Sequence, residues 1–184
     1  MNGASRRCFT LIVVLLLCVA PQPAAAAQSA SPANDRLPVN AVLVLTPKFC
    51  ATKMGVAEIG KDACAEVEPA LKPIFASLTS MSEAPKTGDA QLILIPTFAD
   101  SGATAGRTAF STRELVVYLQ WTAKDKSGKT VWVETVQGSA KHRVGSLFTY
   151  NKNLKLIVGD TIRDVAAQSA IKISSSTQIR ALSQ

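Results

Sequence analysis

The stretch that most constrains this chain is residues 113–140. Two long runs rich in β-branched and aromatic residues flank Asp125-Lys126-Ser127-Gly128, and both tryptophans, Trp121 and Trp132, lie within them. Runs of this kind joined by an Asp/Ser/Gly turn specify a β-hairpin. A four-residue turn at 125–128 places Trp121 opposite or diagonal to Trp132, close enough to stack across the strands or pack in a core. Side chains alternate along a strand. Leu115, Val117, Leu119 and Trp121 therefore share one face, and Val116, Tyr118, Gln120 and Thr122 the other. The first set is the more apolar and is expected to receive helices. The second leaves a semi-polar face on which Tyr118 and Gln120 are candidate partner contacts.

Residues 1–27 read as a secretory signal. A short basic segment with Arg6 and Arg7 precedes the apolar run 9–20, which leads to the small residues Ala24-Ala25-Ala26-Ala27. Cleavage is expected near Ala26 or Ala27. The apolar run is short for a membrane span, and an uncleaved anchor is the alternative. Ser5-Arg6-Arg7-Cys8-Phe9 resembles the start of a twin-arginine signal, but the strongly apolar run after it favours general secretion. Cys18 follows Leu15-Leu16-Leu17 and is a candidate lipidation site, although a lipobox places a small residue just before its cysteine. Membrane association follows only if Cys18 is lipidated or the signal stays uncleaved. Residues 28–38, rich in Pro, Ser and Ala, form a flexible leader.

An α+β domain is expected over 39–179, with 180–184 as a tail. Residues 41–46 form an apolar strand, expected to be buried on both faces. A loop follows over 48–62. The mature chain keeps only Cys50 and Cys64, and in an oxidising compartment a disulfide between them is expected, contributing about 2–3 kcal/mol. A metal or redox pair would need further ligands or closer spacing, so no metal and no cofactor are expected. Residues Val67, Leu71, Ile74, Phe75, Leu78 and Met81 recur at helical spacing and predict a helix over about 64–81, with Asp62 as its cap. Pro69 and Pro73 predict a late start or a kink. Residues 90–98 form a second strand whose far half, at Pro96, belongs at an edge or bulge.

Two loops flank the hairpin in this reading. The first, 99–111, contains Gly102 and Gly106-Arg107-Thr108, which imitate a phosphate loop. The spacing is one residue short, Arg stands for Lys, and a strand follows instead of a helix. The second, 141–152, gathers Lys141, Arg143, Phe148 and Tyr150 into a basic-aromatic segment, a candidate contact for an anionic surface. The only histidine, His142, has no matched nucleophile in the sequence and reads as a surface residue. Leu154, Val158, Thr161, Ile162, Val165, Ser169 and Ile173 then mark an amphipathic helix over about 153–174. The expected architecture is a single domain with a four-stranded mixed sheet, in the order β-α-β-β-β-α, and two helices on one face.

The charge excess is +7, of which the signal holds two, leaving +5. That suits an anionic partner or solubility. With no block of consecutive basic residues, nucleic acid is not an expected partner.

The exported leader, the strand at 41–46, Asp89-Ala-Gln-Leu-Ile-Leu-Ile-Pro96, Val116-Val-Tyr-Leu-Gln-Trp121, Asp125-Lys-Ser-Gly-Lys-Thr-Val-Trp132 and Gly159-Asp-Thr-Ile-Arg-Asp-Val-Ala-Ala167 occur in sequence. Over about residues 40–175 this resembles the small α/β envelope lipoproteins of Gram-negative bacteria. These include the auxiliary lipoproteins of ABC-type lipid or organic-solvent transport systems and the lipopolysaccharide-assembly lipoproteins. The resemblance implies a non-enzymatic accessory component, periplasmic or secreted, anchored at the outer membrane if lipidated, with an envelope protein or lipid as partner. Leu17, before Cys18, departs from the lipoprotein pattern. The families have no catalytic residues to carry over, and none is identified here. Two further readings are a secreted inhibitor or effector acting on a foreign partner, and a small periplasmic hydrolase.

Overall fold

The computed structural model describes residues 36–54, 57–85, 90–104, 112–143 and 150–182, all within one unit spanning 33–184. The expectations for the signal, its cleavage site and Cys18 lie outside the described residues.

Among the described residues five strands, not four, form one mixed sheet in the order β2-β1-β3-β4-β5. They are β1 Leu37–Val44, β2 Phe75–Met81, β3 Leu92–Thr104, β4 Thr112–Asp125 and β5 Thr130–Arg143, with helices α1 Pro47–Cys50, α2 Ile59–Leu71, α3 Tyr150–Ser175 and α4 Thr177–Ala181. β1 runs parallel to both β2 and β3, and β3-β4-β5 is an antiparallel meander. An α+β domain with a mixed sheet is therefore present.

The added strand corrects the helix expected over 64–81. That helix starts earlier, at Ile59 with Glu58 as its cap residue, and Asp62 lies in its first turn. It ends at Leu71, and Lys72–Ile74 form a 3-10 turn. Lys72 keeps helical geometry at φ −52° and ψ −37°, and Pro73 explains the ending because it has no N–H with which to continue the helix. The residues beyond it become β2. Their spacing imitated a helix because the β1–β2 register shifts between Leu37/Phe75 and Asn40/Ser77. The irregularity turns both Phe75 and Leu78 toward the core although they are three residues apart.

β1 begins at Leu37, ahead of the expected domain start, and is buried on both faces only toward its end. Leu37, Val39, Ala41 and Leu43 face the core while Pro38 and Asn40 are exposed. Pro96 is buried in β3 but lies past Leu94, the last residue paired with β1. A register shift follows it between Phe98 and Asp100. The missing N–H therefore breaks no pairing with β1.

Both expected loops are shorter than read. β3 continues through Thr104, and Lys141, His142 and Arg143 are the last residues of β5. Residues 105–111 and 144–149 lie outside the described residues. The tail expected over 180–184 changes at its start, because Arg180 and Ala181 belong to α4, which Ser176 caps by accepting from the Ile179 amide, and Ile179 is fully buried. α3 follows its predicted stripe, with Val158, Thr161, Ile162, Val165, Ser169 and Ile173 all buried.

The core lies between the sheet and the helices. Leu115, Val117, Leu119 and Trp121 are buried there, together with Trp132, Val136, Val67, Leu71, Ile162 and Val165. Trp121 is diagonal to Trp132 across the hairpin, since Glu134 is its direct partner and Ala123 faces Trp132. Trp121 donates its Nε1–H to Ser169 Oγ at 2.8 Å, so its polar tip is satisfied inside the core. α3 comes close to β5 at Gly138, where a Cβ would fall 2.4 Å from the Val165 amide nitrogen.

Candidate functional site

The helix-free face of β4 and β5 is the first candidate. Tyr118 is half-buried and Gln120 exposed on it, with Val116, Thr122, Thr135 and Gln137 around them and Val133 51% exposed. Among the described residues no helix buries Tyr118 or Gln120, and Leu115, Val117, Leu119 and Trp121 are the buried set, as predicted. Thr97 on β3 donates its hydroxyl to the Gln120 carbonyl at 3.3 Å. Toward β1 this face becomes apolar, and Val44, Ala90 and Ile93 are buried together beside Val42 and Ile95. The semi-polar surface is thus confined to the meander.

The second candidate was the segment 141–152. Register opposes Glu114 and Lys141, whose charged groups lie 3.3 Å apart. This cross-strand pair extends the hairpin where a loop was expected. Arg143 is exposed opposite Thr112. Phe148 and the Tyr150 side chain lie outside the described residues. Lys141 and Arg143 are therefore brought together with each other, on the same side of β5 as Tyr118 and Gln120 on β4.

His142 points to the helix side. Its Nε2 is 2.7 Å from Asp160 Oδ2, and Arg163 donates to Asp160 Oδ1 at 2.8 Å. Arg163 also lies 3.6 Å from Glu66. A chain of charged and polar groups thus ties β5 to α3 and α2. The histidine's neighbour is a carboxylate rather than a hydroxyl or thiol, so the pair is not a serine or cysteine nucleophile with its base. No spacing rule links residues 142 and 160, and sequence reasoning passed over Asp160 and Asp164. Asp164 Oδ2 accepts the Ser139 amide at 2.8 Å, a bond likewise without a sequence signal.

Cys50 and Cys64 form the expected disulfide, with Cα atoms 5.7 Å apart. It ties α1 to α2 where Gly60 leaves room for the α1 backbone, since a Cβ there would lie 2.2 Å from the Phe49 carbonyl oxygen. Phe49 stacks on Phe98 of β3 with ring centroids 4.9 Å apart. Between α2 and α3 lies an open groove of about 830 Å³, where Asp62 and Glu66 face Lys155 and Arg163. Among the described residues there is no cluster of three or more metal-ligating side chains. No helix among them is long and apolar enough to cross a membrane.

At the hairpin turn, the Asp125 carboxylate accepts from the Ser127 hydroxyl and from the Lys129 and Ser127 amides. These bonds, the Ser127 hydroxyl foremost, hold its pKa below the ordinary carboxylate value. Gly128 takes φ +83°, which lets the turn close.

No family model and no curated protein matches the sequence. Solved structures match its fold. A minor lipoprotein from Acinetobacter baumannii is 12% identical, covers 76% of this chain and 93% of its own, and superposes with a TM-score of 0.50. A protein from Xanthomonas campestris, described by the family model DUF330, is 8% identical, with 79% and 87% covered and a TM-score of 0.53. At such identities the likeness is one of fold.

Proposed function

We propose that this protein is an exported, non-enzymatic binding or scaffold component of a bacterial cell-envelope complex, an accessory to lipid transport or envelope assembly. It engages an envelope protein through the open face of β4 and β5. The observation that carries this reading is the sheet's asymmetry. One face is closed by α2 and α3, while the other presents Tyr118, Gln120, Thr135, Gln137 and Val133 to solvent. A mixed apolar and polar surface on a rigid antiparallel pair suits protein docking better than catalysis. The disulfide fits an oxidising compartment, and the signal-like segment 1–27 supplies the route to it. A fold shared with a lipoprotein is consistent with this setting.

The test is photocrosslinking in cells from Tyr118 and Gln120, with Lys155 on the helix side as control. Discrete adducts from the sheet positions alone are expected, whereas adducts from Lys155 alone, or from no position, would contradict the reading. Intact mass of the exported protein tests the route. Cleavage near Ala26 or Ala27 and loss of two protons at Cys50 and Cys64 are expected, while a lipid adduct on Cys18 would make it an anchored component.

A further inference from the structure

The groove between α2 and α3 carries an inference about a ligand. It lies on the helix side, away from the open face of β4 and β5, so it is independent of the docking reading above. α2 leads from β1 back to the start of its parallel neighbour β2, and α3 runs antiparallel to β5, where His142 meets Asp160 and Glu134 meets Lys172. β1 and β5 point the same way in the sheet, so the two helices do as well. Residues line the groove in two stripes at four-residue steps, the spacing that stacks side chains along one helix face. On α2 these are Glu58, Asp62 and Glu66, and on α3 they are Lys155, Gly159 and Arg163.

The middle of the α3 stripe is bare where the α2 stripe is charged. Glu66 and Arg163 lie 3.6 Å apart, and one turn earlier on each helix come Asp62 and Gly159. Glu58, a turn earlier again, is drawn toward Lys53 at 3.8 Å. Asp62 is half-buried, and among the described residues neither its carboxylate nor the Lys155 ammonium has a partner. A glycine inside a helix lowers its stability, and packing does not require this one. At Gly60 and Gly138 a Cβ would collide with backbone, but at Gly159 it would meet only Nη2 of Arg163, 3.5 Å away. Arg163 donates from Nη1 to Asp160 and turns Nε toward Glu66, which leaves Nη2 beside Gly159. The bare turn is thus flanked by two cations on its own stripe, and an unpartnered carboxylate occupies the corresponding place on the other.

We propose that this groove binds a phosphoethanolamine group. The phosphate lies over Gly159, between Lys155 and Nη2 of Arg163, and the ammonium reaches across to Asp62. A side chain at 159 would take the phosphate's place. Both ends of the ligand make charge-assisted hydrogen bonds, the stronger kind. The opposed stripes select the zwitterion. A bare phosphate would face the carboxylates of Asp62 and Glu66 without a cation of its own, and a simple amine would leave Lys155 unpaired. Ala57 and Leu154 supply apolar surface for the glycerol end, and a groove of about 830 Å³ has room for it. The same chemistry is offered by phosphatidylethanolamine in a membrane and by the soluble diesters released from it.

Amide chemical shifts of the exported, processed protein, titrated with glycerophosphoethanolamine, test this. Shifts are expected along 58–66 and 154–163. Glycerophosphocholine, whose quaternary ammonium has no N–H for Asp62, and inorganic phosphate should each bind more than about tenfold more weakly. Asp62→Asn should remove that preference, and Lys155→Gln should weaken both diesters alike. Gly159→Leu should abolish binding without lowering the melting temperature, because leucine is the better helix former. Flotation with vesicles of phosphatidylethanolamine and phosphatidylglycerol, against phosphatidylcholine and phosphatidylglycerol, distinguishes the source. Preference for the ethanolamine vesicles assigns the site to a membrane lipid, and equal capture with the soluble diester still bound assigns it to a free one. Three results would overturn the proposal: no binding of either form, choline diester or bare phosphate bound as well as the ethanolamine diester, or undiminished binding by Gly159→Leu.

Discussion

The two ends of the sheet are held together in different ways. At the β4–β5 end, strands and helix touch almost backbone to backbone. Gly138 admits α3, Trp121 donates to Ser169, Asp164 accepts from Ser139, and His142 meets Asp160. Three of these contacts join β5 to α3, the next helix in the chain, and the fourth, from Trp121 to Ser169, spans 48 residues. At the β1–β2 end, α1 and α2 are fastened by Cys50–Cys64 and by the close approach at Gly60, and β2 adds an edge strand with one fully buried side chain, Phe75. Its pairs with β1 are parallel, which are slightly weaker per residue. The hairpin and α3 therefore act as a self-supporting scaffold on which the open face is displayed. The other end depends on a covalent tie.

Substitutions at the scaffold end should have the largest effects. Trp121→Ala removes a fully buried indole and its bond to Ser169, and a loss of about 3–5 kcal/mol is expected in urea unfolding. Gly138→Ala drives a methyl group into the α3 backbone, where neither chain can yield cheaply. About 3 kcal/mol is expected to be lost, with α3 amides exchanging faster before those of α2. At the other end, Cys50→Ser with Cys64→Ser should cost about 2–3 kcal/mol and leave β4–β5 protection in place. An equal loss of protection at both ends would break the contrast drawn here.

The smallest effect is expected at the turn. The folded pKa of Asp125 is depressed, so its stabilising contribution is present above the unfolded carboxylate value and fades as pH falls through the lower folded one. Asp125→Ala should lower the melting temperature slightly at neutral pH. The gap should close in strong acid, and a gap that widened there would contradict the assigned sign.

The same contrast decided what could be read in advance. In β4 the alternation of Leu115, Val117, Leu119 and Trp121 with Tyr118 and Gln120 is a period of two, and burial follows it residue by residue. The α3 stripe and the cysteine pair were equally plain. β2 was missed because the register irregularity put Phe75 and Leu78 on one face at a helical interval. The helix was read as ending near 174, where a run of Ser and Thr weakens a helix interior, yet Ser176 caps a further turn. Lys141 looked like loop because its strand partner, Glu114, is distant in sequence. The bonds from Asp160 and Asp164 are tertiary in the same way, and Gly138 leaves no trace until α3 lies over it.

Hydrogen exchange of the exported protein, followed by mass spectrometry with the Cys50–Cys64 bond intact and then reduced, tests the central claim most directly. The account expects reduction to speed exchange in β1, α1, α2 and β2 while amides of β4, β5 and α3 keep their protection. Loss of protection in the hairpin and α3 at the same rate as in α2 would show that the scaffold does not stand by itself, and would contradict it.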